Sequence, residues 1–411
     1  MTAPPADIPD RSPPVRRAAI AFIFVIVVVD ILALGIIIPV LPKLVEDFMG
    51  GDTPRAAVIY GAFGTVWALM QFLCSPVIGV ISDHVGRRRV ILLSCLGLGL
   101  DYVFMAVAPT LGWLFVGRVI SGITSSTIAT AFAYIADVTP SEKRAASFGM
   151  VGAAFGLGFV LGPALGGVLG TVNPRLPFWV AAAMALANTL YGVFVLPESL
   201  PPERRAPFSW RRANPLGLLK LLRSHHDLLG LAGVNFLYLL AHNVLPSVFV
   251  LYAGYRYGWD AKAVGLTLAV AGVGSMIVQG LLVKRFVARF GERRSVMIGL
   301  VAGILGMAGY ALAPNGVLFV AAVPVFTLMG LFGPSLQALM SHRVQSYEQG
   351  QLQGANSSIM GITGMIGPVL FTQAFSRAIA PGVSWHLPGA PFLLAGGLLL
   401  GGLVLSQRVA R

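Results

Sequence analysis

Twelve apolar stretches, each long enough to cross a bilayer as a helix, decide what this chain of 411 residues can become. A hydrocarbon core about 30 Å thick takes about 20 mainly apolar residues in helical form. By that ruler the expected spans are 18–41, 57–80, 90–108, 111–136, 147–170, 177–196, 227–253, 262–284, 295–313, 316–340, 351–376 and 387–407. Charged residues make up only 11% of the chain, against about 25% in a soluble domain. So few charges cannot cover so apolar an interior, and the excess apolar surface has to face lipid. The fold class expected is an all-α membrane protein. The run from Ala18 is too long for a signal-peptide core and lacks an evident cleavage site, so it reads as a retained helix.

The net charge of +13 suggests nucleic acid until the cations are placed. Arg11, Arg16, Arg17, Arg87 to Arg89, Lys143, Arg144 and the stretch from Arg204 to Arg223 fall on the side of the N-terminus. Lys284, Arg285, Arg289, Arg293, Arg294, Arg343, Arg408 and Arg411 join them. Only Lys43, Arg55, Arg175, Arg256, Lys262 and Arg377 fall on the other side, and Arg118 lies inside a span. That asymmetry predicts both termini in the cytoplasm, in the cell inner membrane. No nucleic-acid partner is expected. Cys74 and Cys95 lie in apolar stretches and indicate no disulfide framework. No metal cluster, nucleotide loop or nucleophile–base pair is visible, so neither an enzyme nor a cofactor is expected. The absence of a phosphate-binding Gly-rich Lys motif speaks against self-contained ATP drive.

The chain divides into a disordered tail (1–17), a six-helix bundle (18–196), a polar, Pro-rich, basic linker (197–226) and a second six-helix bundle (227–411). An internal repeat supports the division. Gly86 and Gly291 are 205 residues apart, and the same offset relates Gly149 to Gly354, Gly156 to Gly361, and Gly162-Pro163 to Gly367-Pro368. Two-fold repeats of this kind are the architecture of secondary transporters that rock around a central site.

Residues Gly79 to Arg89 read Gly-Val-Ile-Ser-Asp-His-Val-Gly-Arg-Arg-Arg. The glycines allow a tight turn between helices two and three, and an acid at a helix end can pair with arginines and cap a neighbouring helix. This loop resembles the signature loop of the major facilitator superfamily, with His84 where the family usually has Arg. The resemblance to its drug/proton antiporters implies a cytoplasmic latch of Asp83, Arg87 and Asp137, with Gly79, Gly86 and Arg88 beside it, holding an outward-facing state. In the second half Asp83 is matched by Ala288, so only the first half keeps the latch acid. Span five carries Gly156, Gly158, Gly162, Pro163, Gly166 and Gly167. Small residues at such spacing let backbones pack closely, and the run resembles the fifth-helix motif of antiporters, which favours efflux over uptake.

Asp30, Asp101 and Arg118 lie inside spans, where ionisable residues are costly and mark ion or proton pathways. Asp30 sits midway along span one, at the depth where substrate and coupling-ion sites lie in such folds. It is the leading candidate for proton coupling. Asp101 and Arg118 each lie about seven residues, or about 10 Å, in from the same side on adjacent antiparallel helices. They are expected to pair, either as a fixed strut or as a bridge that opens with proton or substrate. Gln71, Asn235, His242, Asn243, Gln279, Gln337, Asn356 and Gln373 could line a cavity or bond helix to helix, and Asn235 is Asp30's counterpart at the repeat offset.

Over nearly the whole first half the chain resembles the tetracycline/proton antiporters. The likeness rests on Asp30 with Ile38 to Pro42, Ala68 to Gln71, Leu100 to Tyr102, Gly117 to Thr124, Ser147 to Gly149 and Phe155 to Gly158. In the second half Phe249 to Gly265 and Glu348 to Gly354 also match. The resemblance implies that Asp30, Asp101 and Arg118 are coupling or structural essentials and that Gln71 contacts drug. The family's span-eight His and span-nine Asp fall at Ser275 and Gly303 here, so tetracycline itself does not carry over with the fold. The expectation is a proton-coupled antiporter, monomeric, with a small amphiphilic substrate, protons and membrane lipid as partners. The alternative is a carrier of a native metabolite such as a sugar or siderophore, not coupled through Asp30. A non-transporting scaffold is the third reading.

Overall fold

A computed structural model describes residues 13–125, 127–139, 144–210, 226–345, 348–383 and 386–409. Residues 1–12 and 211–225, which hold most of the expected tail and half of the linker, lie outside this set. Helix α1 runs Pro13–Ile37 and thus starts within the expected tail; the short α2, Leu41–Phe48, follows it. Span two is α3 (Thr53–Val85), span three α4 (Arg87–Val107), and span four is broken into α5 (Leu111–Thr124) and α6 (Thr127–Val138). Spans five and six are α7 (Arg144–Val172) and α8 (Leu176–Val195).

The second half opens with α9 (His226–His242) and α10 (Val244–Tyr257), which form span seven. Then α11 (Ala261–Ile277) passes through a π-helical turn, Val278–Leu282, into α12 (Val283–Leu312). Ala261–Leu312 is one apolar run of 52 residues, about 78 Å of helix and more than twice the hydrocarbon thickness. It crosses twice, folding back at Gly291, whose φ of 78° breaks the helix. Span ten is α13 (Gly316–Thr327) and α14 (Phe332–Ser341), span eleven α15 (Gln349–Ala378), span twelve α16 (Ala390–Val409).

An all-helical chain is the physical consequence of an apolar solvent: a helix satisfies its own backbone groups, which lipid cannot. The helix starts are marked locally. Asp52, Asp260 and Asn315 each accept a bond from the backbone N–H three residues on, capping α3, α11 and α13, as short polar side chains do at helix N-termini. These three caps share one face of the bundle with the Lys43, Arg55, Arg175, Arg256, Lys262 and Arg377 set. We call it the opposite face. The Gly86 and Gly291 turns, the segment from Val195 to Trp210, His226 and Val409 lie on the terminal face.

Each half has its own apolar core. In the first, Ile23, Val27 and Ile31 of α1 pack with Ile91, Cys95 and Tyr134. The second is aromatic: Tyr310 stacks on Phe319 at 4.4 Å, and Tyr252 meets Phe392 at 4.9 Å. The Tyr252 hydroxyl donates to the Tyr310 carbonyl at 2.8 Å.

The halves meet along two seams. In one, α7 lies against α11, with Gly167 against Ala261, Gly265 against the Pro163 carbonyl, Gly272 against Val160 and Gly156 against Met276. In the other, α3 lies against α15, with Gly61 against Pro368 and Thr372, Gly64 against Pro368 and Gly361 against Phe72. Thr65 Oγ1 donates to the Met365 carbonyl at 2.8 Å. These glycine contacts run from the opposite face to about mid-depth. Further on, the same helices carry Gly79, Gly152 and Gly280, and no atom of another element lies within 4 Å of where a Cβ would stand. Among the described residues, the close glycine contacts between the halves thus lie on the side of the opposite face.

Candidate functional site

The fifth-span glycines serve two partners because successive residues on a helix point about 100° apart. Gly158, Gly162 and Gly166 face α1, where Cβ atoms would run into Ile31, Gly35 and the Ile36 carbonyl. Gly167 and the Pro163 carbonyl face α11 across the seam. One small-residue run thus packs on α1 within its own half and on α11 of the other half.

That close approach sets Asp30. The residue is 7% exposed, next to Ile31, which packs on Gly158. Its carboxyl lines a cavity of about 20 Å3 with Leu34, Leu98, Tyr102, Ser125 and Ile128. That volume holds about one water. The cavity sits where span four is interrupted, between Thr124 and Thr127. Gln71 lies close by, its Nε2 donating to the Ser125 carbonyl at 3.4 Å.

The expected Asp101–Arg118 pair is not closed. Both carboxylate oxygens of Asp101 and the Nε of Arg118 are buried without a hydrogen-bond partner among the described residues. The reason is register. Asp101 Oδ1 stands opposite Gly117, 3.2 Å from where a Cβ would be. Arg118 is one residue further round α5 and turns to α3, where its guanidinium lies 5.3 Å from the Trp67 ring centroid. Trp67 Nε1 and Ser121 Oγ are likewise buried and unbonded. Four polar side chains, Asp101, Arg118, Trp67 and Ser121, therefore converge between α3, α4 and α5.

On the terminal face the latch residues come together. Arg87 pairs with Asp83 at 2.5 Å and, through Nε, with Asp137 at 3.2 Å; its NH1 also donates to Ser82 Oγ at 3.1 Å. Arg88 donates to the Val193 carbonyl at 2.5 Å. The φ of 108° at Gly86 makes the turn that starts α4, and a Cβ there would strike Glu198; Gly79 is open on its far side. All of these contacts stay within the first half. Among the described residues, its ion pairs lie within the first half and do not bridge the two.

Glu198 is the member that sequence reasoning missed. Its Oε1 accepts from the backbone N–H groups of Arg87 at 2.9 Å, Arg88 at 3.4 Å, Ser199 at 3.0 Å and Leu200 at 3.1 Å. An acid over the unpaired donors at a helix start meets the positive end of the helix dipole. Ser199 Oγ donates to Asp137 at 3.0 Å, and the Ala206 N–H to the Asp83 carbonyl at 3.1 Å. The first residues of the linker are stapled beneath the latch. The only sequence signal was an acid just past a helix end; its target lies 111 positions away.

In the second half the polar residues separate into groups. Asn235 Nδ2 donates to Asn356 Oδ1 at 3.1 Å, and Asn356 Nδ2 to Gln337 Oε1 at 2.9 Å, an amide chain tying spans seven, ten and eleven. His242 lies 6.1 Å from the Tyr238 ring, which is stacked on Phe332 at 3.8 Å. Asn243, between α9 and α10, donates to the Leu239 carbonyl of α9 at 2.8 Å and packs on Gly367. Gln279 is exposed in the π-helical turn, and Gln373 accepts from Arg377 at 3.4 Å near the opposite face. Ser275 and Gly303 do not rebuild a charged pair: Ser275 lies on α11, and Gly303 is buried against Met329 and Leu399.

Comparison with known proteins fits this geometry. The profile of the Major Facilitator Superfamily matches residues 23–368. The tetracycline resistance protein, class C, of Escherichia coli is 37% identical over 373 residues, covering 90% of this chain and 93% of its own. The class E protein of Escherichia coli is 34% identical over 383 residues, covering 93% of each. Among solved structures, the human organic anion transporter MFSD10 superposes with a TM-score of 0.71 at 23% identity, covering 97% of this chain and all of its own; at that identity the likeness speaks for the fold.

Proposed function

Because this chain belongs to the Major Facilitator Superfamily and is a multi-pass membrane transporter, we propose that it exports an amphiphilic drug, tetracycline-like in class, in exchange for protons. The observation that carries the reading is the pair of seams, whose close glycine contacts lie on the side of one face. Such an asymmetry fits one of the two states of an alternating-access cycle. The basic residues on the terminal face support a cytoplasmic position for that face, and on this reading the protein lies in the inner membrane, open inward with both termini inside. It acts as a monomer.

Asp30 is the proposed proton carrier: it is buried in the moving half, beside the break in span four. Its protonation favours one of the two states. The converging Asp101, Arg118 and Trp67 group is the proposed point where proton or substrate changes partners. Asp83, Arg87 and Asp137, already assembled, meet the second half when the inner mouth closes and so favour the outward-facing state. The likeness to tetracycline resistance proteins supports the substrate class. A second reading, a metabolite carrier not coupled through Asp30, is favoured by Ser275 and Gly303, and by the lack of any acid inside the spans of the second half.

The test is exchange in proteoliposomes under an imposed pH gradient, with labelled compounds including a tetracycline, for wild type and Asp30→Asn. Gradient-driven uptake that disappears in the variant supports the antiporter and identifies its substrate. Transport that ignores the gradient, or survives Asp30→Asn, sinks the coupling role and leaves the metabolite carrier.

A further inference from the structure

From Ala261 to Phe290 the eighth span continues as helix for about 30 residues, or about 45 Å, against a hydrocarbon core of about 30 Å. Its last turns therefore stand beyond the hydrocarbon on the terminal face. Phe286 and Phe290 share a stripe of this projecting end, their rings 5.6 Å apart. Arg285 and Arg289 share the neighbouring stripe, with Lys284 beside them. Arg293 and Arg294 follow the turn at Gly291. All five cations are exposed, and none makes a salt bridge among the described residues. The one acid of the loop, Glu292, lies 3.3 Å from His342.

The loop at the matching place in the first half pairs Arg87 with Asp83 and Asp137 and bonds Arg88 to the Val193 carbonyl, which leaves Arg89 as its exposed cation. Here the corresponding acid is Ala288, and five cations are left facing outward beside two aromatic rings. We infer that this loop, Lys284 to Arg294, binds anionic phospholipid headgroups of the terminal-face leaflet. Clusters of Lys and Arg at the end of a membrane helix attract anionic lipid, and aromatic rings settle at the headgroup level. The occupant follows from that place: the chain emerges there between hydrocarbon and water, so the nearest abundant anions are lipid phosphates. Phe286 and Phe290 sit at the acyl boundary while the guanidinium groups hold phosphate. The helix so anchored is the one that forms a seam with α7. Headgroups that hold its terminal end outward favour the state parted on that face.

The full-length protein in nanodiscs of phosphatidylcholine, with or without phosphatidylglycerol, tests this. Lipid retained after mild detergent extraction is weighed by mass spectrometry. Wild type is expected to enrich phosphatidylglycerol over phosphatidylcholine. The combined Arg285→Gln, Arg289→Gln, Arg293→Gln and Arg294→Gln variant is expected to lose that preference at least about tenfold. Lys262→Gln with Arg377→Gln, on the opposite face, keeps it. Should the fourfold variant fail to fold, raising the salt concentration on wild type gives the same answer, because headgroup attraction is screened. Equal retention of both lipids by wild type, or a preference that survives both the fourfold variant and high salt, overturns the inference.

Discussion

Gly86 and Gly291 turn the chain with φ in the same left-handed range, and Pro163 and Pro368 stand inside the fifth and eleventh spans at the same offset. The two prolines even meet like partners, Pro163 with Gly265 and Pro368 with Gly61 and Gly64. Charge follows no such symmetry. The first half holds Asp30 and Asp101 at membrane depth, whereas the second has only Asp227, Asp260, Glu292 and Glu348, all at helix ends or in loops. On the terminal face the relation is inverted. Arg87 with Asp137 becomes Glu292 with His342, a like contact at 3.2 and 3.3 Å with acidic and basic residue types exchanged. Residues that shape the backbone are duplicated and residues that carry charge are not. On the proposed cycle, rocking needs both halves to bend alike, while one half is enough to hold a proton.

The largest break in that comparison is at Gly166, whose repeat counterpart is the fully buried Phe371. Gly166→Phe would drive a ring into the Ile36 backbone, at a cost of about 3 kcal/mol or more, seen as loss of folded protein on size exclusion. A variant that melts with wild type would mean that α1 and α7 do not pack as described. Next, the acid can be moved between halves. Asn235→Asp placed on Asp30→Asn is expected not to restore gradient-driven exchange, because Asn235 sits in an amide chain rather than beside a helix break. Restored exchange would show that either half can host the proton.

Glu198 has no acidic counterpart; Leu403 stands at its offset. Glu198→Ala should lower stability by about 1–2 kcal/mol, the scale of a lost helix cap, read as a fall in melting temperature. No change would remove Glu198 from the latch. The smallest effect is expected at the inverted pair. His342→Ala should cost about 0.5 kcal/mol or less, as for exposed ion pairs, and less than Asp137→Ala, which strips partners from both Arg87 and Ser199. The reverse order would mean that the second-half pair is the stronger latch.

Spans, orientation signals and the repeat were legible because they are set by solvent and sterics, which act on residue type alone. Asp83, Arg87 and Asp137 were legible as a motif. Asp101 and Arg118 were legible as a depth but not as a contact, since one residue of helix rotation sends Arg118 to Trp67. Glu198 was missed because its role is to accept backbone N–H groups, which leave no pattern in side-chain identity. The break at Ser125 beside Asp30 carries no Pro or Gly to announce it. On which side the halves touch lies in the seams, whose glycines read the same in either state.

Those seams have a thermodynamic character of their own. Where glycine meets backbone, as at Gly167 with Ala261 and Gly265 with Pro163, almost no rotamers are frozen when the surfaces meet, since Gly, Ala and Pro have little side-chain entropy to lose. Closing and parting then exchange similar amounts of disorder. On the proposed cycle the balance is left to the proton, and one pH unit, about 1.4 kcal/mol, is enough to change the ratio of the two states about tenfold.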